Sequence, residues 1–529
     1  HAGAGELHLR PILNLKKKKG VDQFKAITTD VAHLVKKYKG SMSGEHGDGI
    51  VRSEFIPIML GESNYELIKK IKQIFDPDSI FNPGKIVDPL PMDQNFRFQT
   101  DRKEPQVDTY MDFSADQGIL RAVEKCNGSG DCRKTTTDAT ICPSYRATKD
   151  EKDSTRGRAN ILREALTNSD SKSPFDNPQI KQVMDLCISC KACASECPSS
   201  VDMATYKAEF LYQYQKKHRP GLRDRIFAFN GKMSKILNPV RSIQNGVFQI
   251  PFLGSLIKKS LGIASARSLP KLFAPLDQQL IKQHQPQSKR QVYLYLDEFT
   301  NYLDVKTGRD AFEVLKRLGY YVNILPSTES GRTYISKGFL EQAKACANQN
   351  VALYKHLVNS EIPLLGIEPS ALYTFKDEYL KLANDQSNAK KLAENCFLIE
   401  EFLANEIDKG HLSTNAFTDQ GKNIKIHAHC YQKSLGNPAD TFKILNLPKN
   451  YKVTLLSTGC CGMAGSFGYE AEHFEISQKI GEERLFPSIR KMDATTLVAA
   501  NGTSCRHQIS DGTSRKALHP ISLLYQAMR

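Results

Sequence analysis

The sequence lacks any apolar run that approaches the ~18 residues required of a membrane-spanning helix. It also lacks a signal peptide and an initiating methionine, because His1 opens the chain inside a glycine-rich motif. The missing methionine predicts that the 529 residues are a fragment of a longer protein. The missing leader, together with 13 cysteines grouped in motifs, predicts metal ligands in a reducing compartment and excludes a disulfide framework. We therefore expect a cytoplasmic protein of about three or four domains, with peripheral contact to the inner membrane as an open alternative.

A run of cysteines between residues 187 and 198 has the spacing C-x2-C-x2-C-x3-C-P. Bacterial ferredoxins use this spacing to hold iron–sulfur clusters, with the fourth cysteine reaching the other cluster of a pair. Four cysteines also suit a tetrahedral zinc ion, but the third cysteine at x2 and the Cys-Pro ending favour iron and sulfur. The run therefore predicts a protein that passes single electrons.

A second cysteine set lies upstream and ends in Cys142-Pro143. Crossed ligation predicts one complete 4Fe-4S cluster, called cluster A, with the ligands Cys142, Cys187, Cys190 and Cys193. The other cluster, cluster B, has the predicted ligands Cys126, Cys132 and Cys197. Ser129 stands where its fourth cysteine is expected. The fourth iron is then held by Ser129, by another oxygen or nitrogen ligand or by solvent, or it is lost to leave a 3Fe-4S centre.

Two arginines and two cysteines lie outside these ligand sets. Arg156 and Arg158 precede a helical pattern and could bond cluster sulfurs, but each taken singly is expected to face solvent. Cys346 and Cys396 stand alone on helical patterns and are expected to be buried as apolar residues.

The first 100 residues contain two histidine motifs. His1 and His8 lie on either side of a glycine turn, and Glu45-His46 stands in a glycine-rich segment whose backbone can approach a ligand closely. Two imidazoles and one carboxylate make a three-ligand divalent metal site with open positions, as in catalytic zinc sites. His46 is then left as a base. The alternative is that glycine-flanked histidines only cap turns.

Together with the Asn82-Pro83-Gly84-Lys85 turn, these motifs resemble the C-terminal portion of the FAD-linked oxidase domain in vanillyl-alcohol-oxidase-like flavoenzymes that oxidise D-2-hydroxy acids. The resemblance implies an α+β piece with the metal ligands His1, His8 and Glu45. It implies that His46 is the general base, that Arg10 and Arg52 face substrate or flavin, and that Asn82 lies close to the isoalloxazine. The pyrophosphate-binding half of such a domain is not in this sequence, so the chain is expected to supply one wall of a flavin site.

The segment from residue 206 to residue 290 carries most of the net charge of +15, with 16 Lys and Arg residues against three acidic ones. Apolar residues alternate there with basic ones and with Pro and Gly breaks, and no heptad repeat is sustained. Such a stretch suits docking to an anionic membrane surface or to an acidic redox partner. A solvated connector is an equal alternative. No nucleic-acid recognition module accompanies the charge, so we expect no nucleic-acid partner.

Residues 291–529 contain an internal repeat, with copies at 291–415 and 421–529. Each copy predicts a strand, a helix and a second strand, at 292–296, 308–318 and 321–325 in the first and at 424–428, 439–445 and 453–456 in the second. This alternation predicts α/β units with parallel strands. The whole chain is thus predicted to be multidomain, α+β and α/β, with an α+β piece, a mainly α-helical two-cluster ferredoxin domain, the basic connector and the α/β repeat at 1–100, 105–205, 206–290 and 291–529.

The C-terminal repeat resembles the cysteine-rich CCG domain of heterodisulfide reductases and of glycolate oxidase iron–sulfur subunits. Its second copy keeps four thiols, with His429 and His507 nearby, at Cys430, Cys460, Cys461 and Cys505. Gly502 stands where the full pattern has another cysteine, and Ser330 and Ala371 replace thiols in the first copy. The resemblance implies that the first copy is structural and that the second holds a cluster, Zn²⁺ or a redox-active thiol pair.

The order of these parts resembles the bacterial FAD-linked dehydrogenases fused to a 4Fe-4S subunit, among them D-2-hydroxyglutarate dehydrogenases. The resemblance implies FAD-dependent oxidation of a small D-2-hydroxy acid, of the D-2-hydroxyglutarate or D-lactate type, to the 2-oxo acid. Electrons would leave through the two clusters to a quinone or another electron carrier. The alternatives are a non-catalytic electron-transfer subunit like that of glycolate oxidase, and a heterodisulfide-reductase-like enzyme in which Cys460 and Cys461 do the chemistry.

Overall fold

The computed structural model describes residues 1–103, 105–135, 139–168 and 173–529. The chain divides into two compact units, unit 1 at His1–Gln106 and unit 2 at Val107–Arg529. Within the described residues, every helix is either too short or too polar to span a bilayer.

The described residues of unit 1 form four α-helices, α1 Lys18–Lys37, α2 Gly49–Arg52, α3 Ile56–Leu60 and α4 Glu62–Phe75. Helix α1 packs on α3 around a small core of Ala32, Phe55 and Met92. The described residues of unit 1 form no strand, so the α+β class implied for this piece is wrong there. The apolar residues of α4 recur at helical spacing, and Leu67 and Ile74 keep 56% and 75% of their surface exposed.

The described residues in the N-terminal part of unit 2 form helices and loops without a strand, with α5 Ile119–Glu124, α6 Pro143–Thr148, α7 Thr155–Asn168, α8 Pro178–Asp185, α9 Ala192–Glu196 and α10 Met203–Gln215. Helix α5 packs against α7, and Tyr206 Oη on α10 donates to the backbone oxygen of Ala122 at 2.8 Å. The mainly α-helical character predicted for this region is confirmed. Helix α10 runs across the boundary placed after residue 205, so the connector begins inside a helix.

The basic connector forms five further helices, α11 Leu222–Ala228, α12 Asn230–Leu237, α13 Arg241–Gln249, α14 Pro251–Ser260 and α15 Leu276–Leu280. Arg223 on α11 donates through Nη1 to Gly262 O, within the connector, and to Glu472, each at 2.8 Å. The bond to Glu472 fastens the connector to the C-terminal part. Ile243 and Phe252 on the outer faces of α13 and α14 remain 68% and 76% exposed.

The C-terminal part contains two four-stranded parallel sheets. The first has the order β2-β1-β3-β4, with β1 Gln291–Leu294, β2 Tyr321–Asn323, β3 Leu364–Gly366 and β4 Cys396–Leu398. The second has the order β6-β5-β7-β8, with β5 Lys422–His427, β6 Tyr451–Leu455, β7 Leu497–Ala500 and β8 Ala517–Leu518. Both sheets therefore have the same strand order, and the predicted parallel α/β units are confirmed; the assignment to the CCG type stays a prediction.

Helices cover these sheets and carry the loops at their edges. Those of the first half are α16 Glu298–Tyr302, α17 Val305–Arg317, α18 Arg332–Ser336, α19 Leu340–Tyr354, α20 Pro369–Lys376, α21 Tyr379–Leu382, α22 Gln386–Glu394 and α23 Ile399–Asp408. Those of the second are α24 Cys430–Leu435, α25 Pro438–Leu445, α26 Phe474–Glu483, α27 Leu485–Arg490, α28 Thr503–Thr513 and α29 Pro520–Ala527. Cys346 and Cys396 are buried as expected, but Cys396 opens strand β4 instead of lying on a helix, because it pairs in parallel with Leu364.

Candidate redox and metal sites

The four predicted ligands of cluster A surround one small cavity. Its volume is about 20 Å³, and its lining includes Cys142, Cys187, Cys190 and Cys193. Cys142 immediately precedes α6, whereas Cys187 and Cys190 lie in the loop between α8 and α9, and Cys193 lies in α9. Ser189 and Lys191 have φ angles of 50° and 63°, which turn this loop back on itself. The fold thus brings the remote Cys142 to the cysteine run, as crossed ligation requires.

The guanidinium of Arg158 lies fully buried beside this cavity. Its Nη1 donates to Cys142 Sγ at 3.4 Å, and its Nε donates to the backbone oxygen of Val183 at 2.9 Å. Burial opposes the charge, but Cys142, Cys187 and Asp153 raise the pKa of Arg158. The expectation that this arginine faces solvent is wrong, because residue 158 lies on the buried face of α7.

Burial raises the pKa values of the Cys190 and Cys193 thiols well above the ordinary value, and neighbouring Cys142 adds to both shifts. Two thiols of this kind stay protonated at neutral pH unless a cation displaces the protons. Four sulfur donors around a dry cavity fit an iron–sulfur cluster, which supplies that positive charge and binds them as thiolates.

Lys191, inside the cysteine run, ties the cluster loop to the first α/β half. Its Nζ donates to Asp202 at 2.8 Å and to Thr205 at 2.9 Å, and it also pairs with Asp377 and, at 3.7 Å, with Glu378. Burial opposes its charge, but these three carboxylates raise the pKa of Lys191 well above its usual value. A lysine that is fully buried and fully paired fixes the loop between Cys190 and Cys193.

The predicted ligands of cluster B share one hydrophobic core, in which Cys126 and Cys132 are buried and against which Cys197 packs. Cys132 is buried and accepts a hydrogen bond from the backbone N–H of Arg156 at 3.4 Å. Burial raises the pKa of its thiol, and Cys142 and Cys126 act in the same direction. Cys197 follows α9 and is half-buried against the same core. Ser129 is exposed on the loop between Cys126 and Cys132, and residues 136–138 lie outside the described residues.

The histidine motifs of unit 1 converge on one point. One donor atom from each of four residues lies within 4.8 Å of the others, namely from His1, Glu6, His8 and Glu45. His1 pairs with Glu45, and His8 Nε2 lies 3.1 Å from Glu6 Oε1. His46 Nε2 lies 3.0 Å from Glu45 Oε1. Two imidazoles and two carboxylates fit a divalent metal ion. Glu6 was missed at the sequence level, although its position between two histidines offered a signal.

The remaining predicted residues of unit 1 hold or occupy turns. Arg52 Nη2 donates to the backbone oxygen of Gly47 at 2.6 Å, next to Glu45-His46, whereas Arg10 is exposed. Asn82 has a φ of 51°, and the turn before it is held by Asp76, which accepts from the N–H groups of Ile80 and Phe81 at 2.8 and 2.9 Å. Asp76 thus presents the Asn82 turn at the surface of unit 1.

The four C-terminal thiols form a continuous buried group. Cys460 lies within hydrogen-bonding range of Cys430 and Cys461, and Cys461 lies within range of Cys505. Hydrogen bonds from Cys460, Cys505 and His427 lower the pKa of Cys461 well below its ordinary value. None of these thiols forms a disulfide. His427 was not singled out from the sequence, since it stands three residues before Cys430 within a strand and lacks any cysteine-like spacing.

A cavity of about 310 Å³ connects the two cysteine regions of unit 2. Cys190 lines one part of it and Cys430, Cys460 and Cys461 line another. Apolar residues of the connector form much of its wall, including Ile226, Phe227, Phe248, Leu261, Leu269 and Pro270. The connector is therefore part of a lined cavity and not only a solvated link.

Comparison with known families identifies two domains. Residues 1–86 match the FAD linked oxidases, C-terminal domain, and residues 125–202 match the 4Fe-4S dicluster domain. No solved structure gives a significant match.

Whole-chain similarity extends these matches. The chain is 27% identical to D-2-hydroxyglutarate dehydrogenase of Escherichia coli K12 over 100% of its own length and 55% of that protein. It is 28% identical to one subunit of the anaerobic glycerol-3-phosphate dehydrogenase of the same strain, over 59% of this chain and 78% of that one. It is 21% identical to the glycolate oxidase iron-sulfur subunit of that strain, over 78% of this chain and 94% of the subunit. The chain spans about half the length of the D-2-hydroxyglutarate dehydrogenases that it matches. It thus joins a C-terminal domain of FAD-linked oxidases, at residues 1–86, to a 4Fe-4S dicluster domain, at residues 125–202.

Proposed function

We propose that this chain is the electron-relaying C-terminal part of a flavin-dependent dehydrogenase that oxidises a D-2-hydroxy acid, of the D-2-hydroxyglutarate or D-lactate type, to the 2-oxo acid. The observation that carries the proposal is the convergence of His1, His8 and Glu45 beside His46, on a chain that also gathers four cysteines around the cluster A cavity. One group of residues suits two-electron chemistry on a hydroxy acid, and the other suits one-electron transfer. Similarity to D-2-hydroxyglutarate dehydrogenase over the whole chain supports the pairing.

The residues of unit 1 have distinct parts in this reaction. A divalent ion held by His1, His8 and Glu45 would act as a Lewis acid toward the substrate hydroxyl and carboxylate. Glu6, at 3.1 Å from His8, would hold that imidazole in place. His46, oriented by Glu45 at 3.0 Å, would take the hydroxyl proton as the α-carbon loses hydride.

The flavin would be held mostly by protein outside these residues. Unit 1 offers the Asn82 turn, beside which Ile80 and Phe81 are 70% and 68% exposed. The apolar side of α4 is exposed as well, including Leu67 and Ile74. We expect these surfaces to be covered when the chain is joined to the rest of a flavin domain, since monomeric proteins rarely expose large apolar patches.

The exit for electrons would be the cavity beside cluster A. Cys190, a predicted ligand of cluster A, lines the cavity, and a cluster bound there would supply one-electron transfer to an acceptor. The apolar wall of the cavity, with Phe227, Phe248 and Leu269, suits a small, flat, apolar acceptor such as a quinone ring. Reduction of a quinone consumes two electrons and two protons drawn from solvent.

The test uses the complete protein encoded by the reading frame that contains this chain. It is mixed with D-2-hydroxyglutarate, D-lactate and an artificial electron acceptor, and reduction is followed by absorbance. His46→Ala should lower kcat by about 10²- to 10⁴-fold, whereas His33→Ala, at an exposed position on α1, should leave it unchanged. Full turnover in the His46→Ala variant would show that His46 is not the base. Failure of the wild-type protein to oxidise any D-2-hydroxy acid would overturn the function.

A non-catalytic electron-transfer subunit is the second candidate. It is favoured by the similarity to the glycolate oxidase iron-sulfur subunit over 94% of that subunit's length. In that case the clusters would be reduced only when a separate flavoprotein is added. Cluster reduction followed by EPR, with substrate alone and with a partner dehydrogenase, separates the two candidates. Unchanged turnover after Cys460→Ala would count against the third candidate, a thiol-based disulfide reductase.

A further inference from the structure

The carboxyl ends of three neighbouring parallel strands meet beside the cysteine pair at residues 460 and 461. His427 is the last residue of β5, Cys461 lies in the loop after β6, and Cys505 lies in the first turn of α28, just after β7. Because the strand order is β6-β5-β7, these three loops leave the same edge of the sheet side by side. The topology therefore brings together three residues that are distant from one another in sequence.

Their donor atoms form a compact, buried group. One atom each from His427, Cys461 and Cys505 lies within 4.8 Å of the other two. The three residues are buried, with relative exposures of 0%, 3% and 1%. Two thiolates at this position would balance the charge of a bound divalent cation.

The imidazole of His427 is oriented toward the thiols. Its Nδ1 lies 2.6 Å from Thr458 Oγ1, itself buried. Its Nε2 makes no hydrogen bond of ordinary geometry within the described residues and faces the sulfur of Cys461. A buried ring nitrogen that is fixed in direction and faces a thiol sulfur is the arrangement expected of a metal ligand whose other nitrogen is held by a supporting residue.

Residue 502, where the full CCG pattern has a cysteine, is a glycine in this chain, so the site is not an all-cysteine site. A Cβ atom placed on Gly502 would lie 2.3 Å from Cδ2 of His429 and 3.0 Å from its Nε2. A fifth thiol cannot stand there while the His429 ring occupies the space. The local donors are therefore mixed, with nitrogen and sulfur, and Cys460 contacts Cys461 without belonging to the group of three mutually close donors.

We propose that His427 Nε2, Cys461 Sγ and Cys505 Sγ bind one divalent transition metal ion of the Zn²⁺ class. One imidazole and two thiolates match the ligand preference of Zn²⁺, and three protein ligands leave a fourth position for an exogenous ligand. Cys461 also lines the 310 Å³ cavity, so the fourth position is reachable from it. The ion binds both sulfurs as thiolates, so any proton that a thiol carries is released to solvent, and no oxidation state changes. The site does not depend on the flavin reaction.

The test compares neighbouring cysteines in the full 529-residue chain, produced anaerobically with iron and zinc supplied. Zinc and iron per chain are measured by plasma mass spectrometry. The wild-type chain should hold about one Zn²⁺ at this site, in addition to its iron and to any divalent ion held by His1, His8 and Glu45. Cys461→Ser and Cys505→Ser should lose it, whereas Cys460→Ser and the distant Cys346→Ser should keep it. Equal zinc in the Cys460 and Cys461 variants, or only iron in the wild type, would overturn the site.

Histidine variants test the new ligand directly. His427→Ala should lose the zinc while retaining iron, and His427→Cys, which restores a donor atom, should regain it. Replacing the ion by Co²⁺ adds a spectroscopic signature, since thiolate-to-cobalt charge-transfer bands should be present in the wild type and change on exchange of nitrogen for sulfur. If His427→Ala does not fold, the His427→Cys spectrum still decides: an unaltered cobalt spectrum would show that residue 427 is not a ligand.

Discussion

Nη1 of Arg158 donates to Sγ of Cys142 at 3.4 Å, and both side chains are buried. Cys142 is the one predicted ligand of cluster A that comes from outside the cysteine run. The guanidinium of Arg158 therefore contacts Cys142, the cluster A ligand that only the folding of the chain brings to the cysteine run. Hydrogen bonds to sulfur and nearby positive charge both favour the reduced, more negative state of a cluster.

Loss of this guanidinium should lower the reduction potential of cluster A. We expect Arg158→Met to shift it downward by several tens of millivolts, at about 59 mV per tenfold change in the one-electron equilibrium. Arg158→Lys keeps the positive charge but loses the several N–H donors of the guanidinium, so it should lower the reduction potential of cluster A by less. A redox titration followed by EPR measures the shift. Arg156→Gln is the control, since Arg156 reaches Cys132 only through its backbone N–H; equal shifts in both variants would contradict a specific role for Arg158.

Removing the buried lysine of the cluster loop should destabilise unit 2. Lys191→Met leaves Asp202, Asp377 and Glu378 without their shared cation, and breaking a buried ion pair costs about 3–5 kcal/mol. We expect a lower thermal midpoint and a lower iron content. Lys381→Met is the matched control, because Lys381 pairs with the same Asp202 at 3.5 Å but is 27% exposed, so its loss should cost under about 1 kcal/mol. Similar thermal midpoints for Lys191→Met and Lys381→Met would show that the buried ion pairs of Lys191 do not stabilise unit 2.

The cluster ligands could be predicted because their signal is local. Cys187, Cys190 and Cys193 follow one another at close spacing, and that spacing alone specifies the chemistry. Parallel α/β units could be predicted for a similar reason, since strand and helix periods are short-range patterns. Even so, Cys396 was assigned to the wrong element, because burial alone does not separate a short strand from a helix.

The parts that escaped prediction depend on long-range placement. His427 acquires meaning only when the strand order β6-β5-β7 sets it beside Cys461 and Cys505. Arg158 was expected at the surface because an arginine in a helix is usually solvated, and only the packing of α7 shows that its head group is buried. The cavity beside Cys190 likewise needs the connector folded against both other parts of unit 2.

A buried carboxylate pair should make the first α/β half less stable as pH rises. Burial raises the pKa of Asp297 to about 7 and that of Glu298 to about 8, and the charge of Glu368 adds to the first shift as that of Asp297 adds to the second. Because the folded state holds these protons more tightly than the unfolded state, the stabilisation is complete below about pH 4 and is lost as pH rises toward 8. Each group costs up to about 1.4 kcal/mol per pH unit in this window.

Glu298→Gln should remove the part of the pH dependence of stability that comes from Glu298. Glu298 accepts from the N–H and the hydroxyl of Ser330, each at 2.8 Å, and an amide oxygen can accept one of these bonds at any pH. We expect the thermal midpoint of the variant, relative to wild type, to rise steadily between pH 5 and pH 8. Glu361→Gln, at an exposed position, should leave the difference flat. A constant offset for Glu298→Gln would show that the group is already ionised at pH 5.

The residue behind the proposed metal ligand should tune metal affinity without contacting the ion. With Nε2 on the metal, Nδ1–H of His427 donates to Thr458 Oγ1 at 2.6 Å. Thr458→Val removes the acceptor at nearly constant volume, and loss of such a supporting bond costs about 10- to 100-fold in metal affinity. Competition with a zinc chelator measures the change. Thr496→Val, at a buried threonine outside this group, is the control. Equal zinc affinities for wild type and the Thr458 variant would show that Thr458 does not support the metal site.

Filling the cavity beside cluster A should impair the acceptor but not the hydroxy acid. Phe248, on α13, lines the cavity and is half-buried, so Phe248→Trp places a larger ring in the space proposed for a quinone. We expect the KM for a soluble quinone to rise about tenfold, equivalent to about 1.4 kcal/mol of lost binding. The KM for the D-2-hydroxy acid, measured with a dye that accepts electrons at the surface, should not change. Phe252→Trp, on α14 and 76% exposed, should behave as wild type. If the quinone KM is the same in all three proteins, electrons leave by another route, and the proton chemistry assigned to His46 is unaffected by that result.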